Sequence, residues 1–286
     1  MLLSPSQIDA VVEAALAEDA PWGDLSSETL IPAERRARAL LAAREPGVFA
    51  GGEVLARTFR AVDPGVEVRL LCADGERFSR GDALAQIEGP ARALLRAERV
   101  ALNLVQRMSG IATLTSRFVE AVAGTSARIV DTRKTTPGLR ALERHAVRAG
   151  GGHNHRFSLS DAVMIKDNHL AALGADSPAA VTQALERLRE QLPHTVHIEV
   201  EIDRLDQLDA VLEAKVDTVM LDNFSLDELR EGVARIKGRA WIEASGGVDL
   251  TTVRAIAETG VEIISVGALT HSARALDLGL DFEPDR

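Results

Sequence analysis

The residues best suited to chemistry in this 286-residue chain lie between Asp131 and His169. That segment holds Arg133, Lys134, Arg140, Arg144, Arg148, Arg156 and Lys166, seven cations against the four carboxylates Asp131, Glu143, Asp161 and Asp167. It also contains His145, His153, His155 and His169, four of the seven histidines. The whole chain carries a net charge of −10, so an acidic protein has gathered positive charge in one place. Arg133 and Lys134 directly follow an apolar run, where an unpaired charge would be costly without an anionic partner. A guanidinium offers a planar fork for a carboxylate or phosphate, and an ammonium offers a compact charge. The chemistry indicated is recognition of a small anion. Arg140, Arg144 and Arg148 recur every four residues beside Glu143, which reads most simply as a solvated helix face.

Short β-branched runs position these residues: Ala127 to Thr132, Ala162 to Ile165, Val196 to Ile202, Thr218 to Leu221, Trp241 to Ala244 and Glu262 to Val266. Segments with apolar residues at helical spacing alternate with them, including Pro178 to Gln191, Leu205 to Glu213, Leu226 to Ile236 and Leu250 to Thr259. Such alternation implies a parallel sheet, either an open or closed barrel or a flat doubly wound sheet. In α/β barrels the active site lies at the C-terminal strand ends. The residues there are Asp131-Thr132-Arg133-Lys134, Lys166-Asp167-Asn168-His169, Glu199 and Glu201, Asp222-Asn223, Ser245-Gly246-Gly247 and Gly267-Ala268. Glu199 and Glu201 share one face of their strand. With Asp222 they could hold hydroxyls or magnesium, or stabilise a developing positive charge. The last two loops precede helices expected near Asp249 and Leu269, so their N–H groups could face a phosphate, although tight turns alone would also need those glycines. No GxGxxG follows a strand and no GxxxxGK[ST] occurs, so dinucleotide-binding and P-loop readings lack support. His153 and His155 form an HxH pair after Gly150-Gly151-Gly152. A metal-dependent barrel hydrolase could recruit them with Lys166, His194 or His197, and Asp222.

The first third differs. After an amphipathic helix near Ser6 to Glu18, short alternating stretches at Arg38 to Ala43, Val66 to Cys72 and Ala83 to Glu88 indicate a small sheet-containing domain. Asp74 to Leu84 resembles the hairpin of a biotinyl or lipoyl carrier domain but has no lysine to modify. A helical pattern from Arg92 to about Val122, interrupted near Ser109-Gly110, follows. The negative charge argues against a nucleic-acid partner. No apolar stretch or leader indicates a membrane span or export, so the cytoplasm is expected. Cys72 stands alone, which suits a small core residue and excludes an internal disulfide.

These residues resemble a known family, quinolinate phosphoribosyltransferase, also called nicotinate-nucleotide pyrophosphorylase (carboxylating). The resemblance runs through Glu18 to Asp24, Glu98 to Asn103, Ser109 to Thr113, Gly150 to Arg156, Met164 to His169, Glu199 to Glu201, Leu221 to Phe224, Glu243 to Gly247 and Val266 to His271. Its most specific part is Asp131-Thr132-Arg133-Lys134-Thr135-Thr136-Pro137-Gly138-Leu139-Arg140. It implies an N-terminal α/β sandwich domain at 1–110, an incomplete seven-stranded α/β barrel at 111–270, and a C-terminal segment, 271–286, packing back on the first domain. It also implies a pentosyltransferase that joins quinolinate to phosphoribosyl pyrophosphate with magnesium, releasing pyrophosphate and carbon dioxide. In that family Arg133, His155, Arg156 and Lys166 would bind the carboxylates, with Thr132 beside them and Lys134 near the reacting centre. Glu201 and Asp222 would face the ribose and its metal. Ser245, Gly246, Gly247, Val266, Gly267 and Ala268 would hold the 5′-phosphate, with His271 nearby. Arg99 would reach in from the neighbouring subunit of a homodimer or of a hexamer built as a trimer of dimers. Sister enzymes of the same fold, specific for nicotinate or associated with molybdate transport, are the nearest alternatives.

Overall fold

Phe49, Leu41 and Ile87, all fully buried, mark the core of a first structural unit, while Val200, Val219 and Ile264 mark that of a second. The structure, a computed structural model, describes residues 3–175 and 177–283. Along the chain the elements are α1 (Pro5–Asp19), α2 (Leu25–Leu30), β1 (Arg36–Ala43), β2 (Gly47–Val48), α3 (Gly52–Val62), β3 (Glu67–Leu70), β4 (Arg77–Phe78), β5 (Ala83–Pro90) and α4 (Ala91–Ala121). They continue with β6 (Arg128–Val130), α5 (Arg140–Ala149), β7 (Val163–Ile165), α6 (Asp167–Leu173), α7 (Pro178–Gln191) and β8 (Ile198–Ile202). Then come α8 (Leu208–Glu213), β9 (Thr218–Asp222), α9 (Leu226–Ile236), β10 (Trp241–Ser245), α10 (Val253–Ala257), β11 (Ile263–Ser265), α11 (Ala268–His271) and β12 (Leu278–Phe282). Among the described residues no helix is long and apolar enough to cross a membrane.

The first unit takes the chain up to Ser116, Thr135–Gly151 and the residues from Leu269 onward. Its main sheet is antiparallel, in the order β12, β1, β5, β3. Alternation along β1 turns Ala39, Leu41 and Ala43 into the core, the pattern of a sheet buried on one face. The C-terminal strand β12 pairs with β1 through Leu41 and Leu280. Cys72 is buried here, and burial, followed by Glu76, pushes its thiol up to about 11, so it is a neutral core residue.

Details differ from expectation. α4 runs through Ser109-Gly110 without the expected interruption. Gly110 serves close approach instead: a Cβ there would stand 2.0 Å from the Arg274 carbonyl oxygen. The stretch 135–151 joins the first unit, where α5 presses on α4; a Cβ at Gly150 would lie 2.4 Å from the Ala112 carbonyl oxygen. The solvated face expected there holds only in part: Arg148 is exposed and Arg140 half-buried, whereas Glu143 and Arg144 are buried. Glu143 accepts from Arg107 at 2.8 Å and from the Thr136 N–H at 3.1 Å, and Arg107 also donates to the carbonyls of Thr270 and Ala273. Removing one partner of such a buried pair is more damaging than the pair is stabilising.

The second unit holds Arg117–Lys134 and Gly152–Ala268. Six parallel strands lie in the order β6, β11, β10, β9, β8, β7, the sheet of an incomplete α/β barrel. Where a seventh strand would flank β6 there is a single bridge, Val130 to His153. The pairing goes no further because the next backbone donor, the His155 N–H, turns to the Asp131 carboxylate at 2.8 Å.

The carrier-like hairpin has an architectural role. Asp74 accepts from the N–H groups of Gly51 and Gly52 at 3.0 and 2.9 Å, capping α3 where Gly51 has no side chain to do so. Its other oxygen meets His145 Nε2 at 2.6 Å. Burial works against this carboxylate's charge, but the hydrogen bonds from His145, Gly52 and Gly51 outweigh it and hold Asp74 below its ordinary 3.8. A depressed carboxylate contributes stability that is present above its unfolded-state value and lost as pH falls through the folded-state one. Asp74→Ala is therefore expected to cost about 1–2 kcal/mol at neutral pH. In urea denaturation its deficit should shrink below about pH 4; a deficit that persists in acid contradicts the assignment.

Candidate active site

Each strand of the second unit delivers polar residues to one end of the sheet. Thr132, Arg133 and Lys134 follow β6, Lys166 follows β7, Glu201 lies on β8, and Asp222 and Ser245 close β9 and β10. With His155 and Arg156 they line one cleft of about 410 Å³. Nine of the expected site residues thus meet. The same cleft includes Glu243 and Ser265, to which sequence reasoning gave no role, together with Met164 and Met220. Their signal was alternation: Glu243 and Ser245 share a face of β10, as Glu199 and Glu201 do on β8. Val266 is buried and its N–H bonds the Val130 carbonyl, so it braces the end of β11. Arg99 and His271 occupy exposed positions of the first unit.

Asp131 gathers the cations. It is fully buried at the end of β6, and its carboxylate accepts from the His155 N–H at 2.8 Å and from Asn154 Nδ2 at 2.5 Å. Its own N–H bonds the His153 carbonyl at 3.1 Å. One residue therefore fixes Arg133 and Lys134 through the chain and His155 and Arg156 through space. The Arg156 guanidinium donates to the Ala162 carbonyl at 3.1 Å. Its pKa is lowered by burial first and by Arg133 second, so two guanidiniums that repel one another line the same cleft, an arrangement complementary to an anion.

His155 has both ring nitrogens engaged within the chain. Nδ1 accepts from the Arg156 N–H at 2.7 Å. Nε2 faces Glu199 at 3.1 Å and Glu243 at 3.3 Å, and both carboxylates are buried. Burial disfavours charge on the ring, and the two carboxylates outweigh it, so the pKa of His155 is raised to about 10. Burial likewise pushes Glu199 upward, more than its bond to His155 pulls it down. Among the described residues His155, Glu199 and Glu243 are the group whose ligand atoms lie close enough together to hold a metal ion. His153 is not in it, because it bridges β6 and is exposed. The HxH pair is thus not the paired ligand set that a barrel hydrolase would need.

The quinolinate phosphoribosyl transferase family matches along nearly the whole chain, its C-terminal domain at residues 111–281 and its N-terminal domain at 24–109. The chain belongs to this family. It is 44% identical over 289 residues to the nicotinate-nucleotide pyrophosphorylase (carboxylating) of Mycobacterium leprae (strain TN), covering 98% of this chain and 100% of that one. It is 42% identical over 275 residues to the probable enzyme of the same name from Bacillus subtilis (strain 168), covering 96% and 93%. The crystal structure of NadC from Streptococcus pyogenes is similar with a TM-score of 0.92 at 41% identity, covering 99% of this chain and 100% of that one.

A transferase of this family needs room for a sugar and its metal. Glu201 pairs with Lys166, and Asp222 accepts from Asn223 Nδ2 at 2.7 Å. Two carboxylates at neighbouring strand ends, with no third ligand grouped around them among the described residues, suit magnesium that arrives on a diphosphate and keeps most of its water. The glycine loops differ from expectation. α10 begins at Val253, later than Asp249, because the Asp249 carboxylate accepts from the N–H groups of Thr251 and Thr252 and holds a turn there. α10 and α11 are only five and four residues long, so a phosphate would be met by loop N–H groups more than by a helix dipole. Gly246 is obligatory: its φ is +88°, and a Cβ would fall 2.2 Å from Asn223 Oδ1.

Asp131→Ala would leave two donors without their acceptor. We expect a loss of about 2–4 kcal/mol of stability, read by chemical denaturation, together with loss of transferase activity in whatever protein remains folded. Parent-like kinetics in folded Asp131→Ala would contradict its anchoring role.

Proposed function

We propose that this protein transfers the phosphoribosyl group of phosphoribosyl pyrophosphate to the ring nitrogen of quinolinate, with loss of pyrophosphate and carbon dioxide, giving nicotinate mononucleotide. The observation that carries this reading is the convergence of Arg133, Lys134, Arg156 and Lys166 on one cleft in a chain matched along nearly its full length by this family.

The chemistry follows from the charges. Arg133, Arg156 and Lys166 receive the two carboxylates, and Thr132 and His155 complete that wall. A single carboxylate would use only part of this charge, which favours the dicarboxylate over nicotinate. Phosphoribosyl pyrophosphate lies along the strand ends, with its 5′-phosphate against Ser245, Gly246, Gly247, Gly267 and Ala268. Glu201 and Asp222 face the ribose, and magnesium held there would neutralise the departing diphosphate. As the C–O bond to pyrophosphate breaks, positive charge grows on the sugar carbon, and the carboxylates of Glu201 and Asp222 stabilise it. The pyridine nitrogen supplies the new bond. Its cationic ring then accepts the electron pair of the adjacent C–CO2⁻ bond, carbon dioxide leaves, and that ring carbon takes a proton. Lys134, at the rim of the cleft, is placed to meet pyrophosphate as it leaves.

The active species is read as a homodimer or a multiple of it, with Arg99 of one copy completing the site of the next. Trp22, Leu25 and Leu30 support a second copy, being 92%, 80% and 77% exposed. Arg92 and Arg96 of α4 bind the carbonyls of Ile31, Glu28 and Ala20, fixing that apolar segment on the helix that carries Arg99. The cytoplasm is the compartment this reading implies.

Carbon dioxide release with phosphoribosyl pyrophosphate and either pyridine acid tests the assignment. Quinolinate should release carbon dioxide stoichiometrically with pyrophosphate; consumption of nicotinate in its place would make this a sister enzyme. Arg99→Ala and Arg133→Ala should each be inactive alone, and mixing them should restore part of the activity through hybrid dimers. No restoration would remove the shared site.

A further inference from the structure

Beneath the cations lies a cluster to which the transfer chemistry gives no part. Glu199 and Glu243 come from β8 and β10, on either side of β9, and are 3% and 1% exposed. Both reach His155 Nε2, yet the second oxygen of each, Oε1, is buried without a hydrogen-bond partner. Two carboxylates withdrawn from water around one ring nitrogen are a costly arrangement.

A divalent cation is one occupant that such a triad suggests. A metal-bound histidine, however, donates its other ring N–H outward, whereas here Nδ1 accepts from the Arg156 N–H. What the cluster does hold is the next residue. His155 is gripped by its N–H at Asp131, by Nε2 at the two glutamates and by Nδ1 at the Arg156 amide. The backbone from which Arg156 extends is thereby fixed, with Glu199 acting electrostatically on its guanidinium beside Arg133.

We propose that Glu199 and Glu243 are positioning residues for the pyridine substrate: through His155 they fix the backbone of Arg156, and Glu199 adds its charge near the Arg156 guanidinium, before the substrate carboxylates arrive. The inference rests on reading the cleft as the quinolinate site. Glu199 is not among the residues lining the cleft, and Glu243, which is, is assigned its role through His155.

Steady-state kinetics of Glu199→Ala, Glu243→Ala and the corresponding glutamine variants test this. The alanine variants should raise the quinolinate KM about tenfold or more. The KM for phosphoribosyl pyrophosphate should stay within about twofold, since uniform binding of one substrate alone is affected. Glutamine keeps an acceptor for His155 while removing the charge, so it should recover part of the loss. If alanine prevents folding, the glutamine variants still report on the charge, and parent-like quinolinate KM values in both overturn the proposal. So does a lowered melting temperature with both KM values unchanged, or an equal rise in both, which would mark a structural role only. If the parent enzyme releases no carbon dioxide from quinolinate, the functional reading itself fails. If it does, and the variants bind quinolinate normally, only this inference fails.

Discussion

The buried carboxylate of Asp131 is the contact on which the cleft depends. A charge taken fully out of water must be met by donors, and the donors it finds are the His155 N–H and the Asn154 side chain. That requirement ties the loop after Gly152 to the end of β6. It is also why the chain stops pairing as a strand at His153 and why Arg156 comes to stand beside Arg133. The incomplete barrel and the cation pair are two results of the same hydrogen bonds.

Electrostatic pairing follows. Arg133, Arg156 and Lys166 line the cleft together with Glu201 and Glu243, while Glu199 and Glu243 meet His155 and Glu201 meets Lys166. Like charges held close would drift apart in a flexible loop; here they rest on strand ends and on buried carboxylates, so little reorganisation is left for the moment of binding. Lys166 pairs with Glu201. The first unit applies the same rule with Arg107 and Glu143, which hold the chain at Thr136 and Thr270.

Much of this was legible in the residues. The helices over 178–191 and 226–236 appear with the expected ends because Ser177 and Ser225 cap them and their apolar faces are unambiguous. Strand-end chemistry was legible because a parallel sheet buries its strands and leaves polar side chains at the ends. The surroundings of α5 were not. Arg140, Arg144 and Arg148 at four-residue spacing look the same whether water or Arg107, many residues away in sequence, faces that side. Glu243 carries no sign of its role in the sequence, since a carboxylate on an apolar strand shows its partners only when β8 and the His155 loop are brought to it. The late start of α10 had a local cause, the Asp249 turn, which competes with helix for the same N–H groups.

A crystal structure of the enzyme with quinolinate bound tests the central claim most directly, that buried carboxylates prearrange a set of cations for two carboxylates. The account predicts that the dicarboxylate lies in the cleft against Arg133, Arg156 and Lys166, with Lys166 drawn from Glu201 and with His155 still held by Asp131, Glu199 and Glu243. A pyridine ring bound outside this cleft, or His155 released from both glutamates to bind a carboxylate itself, would contradict it.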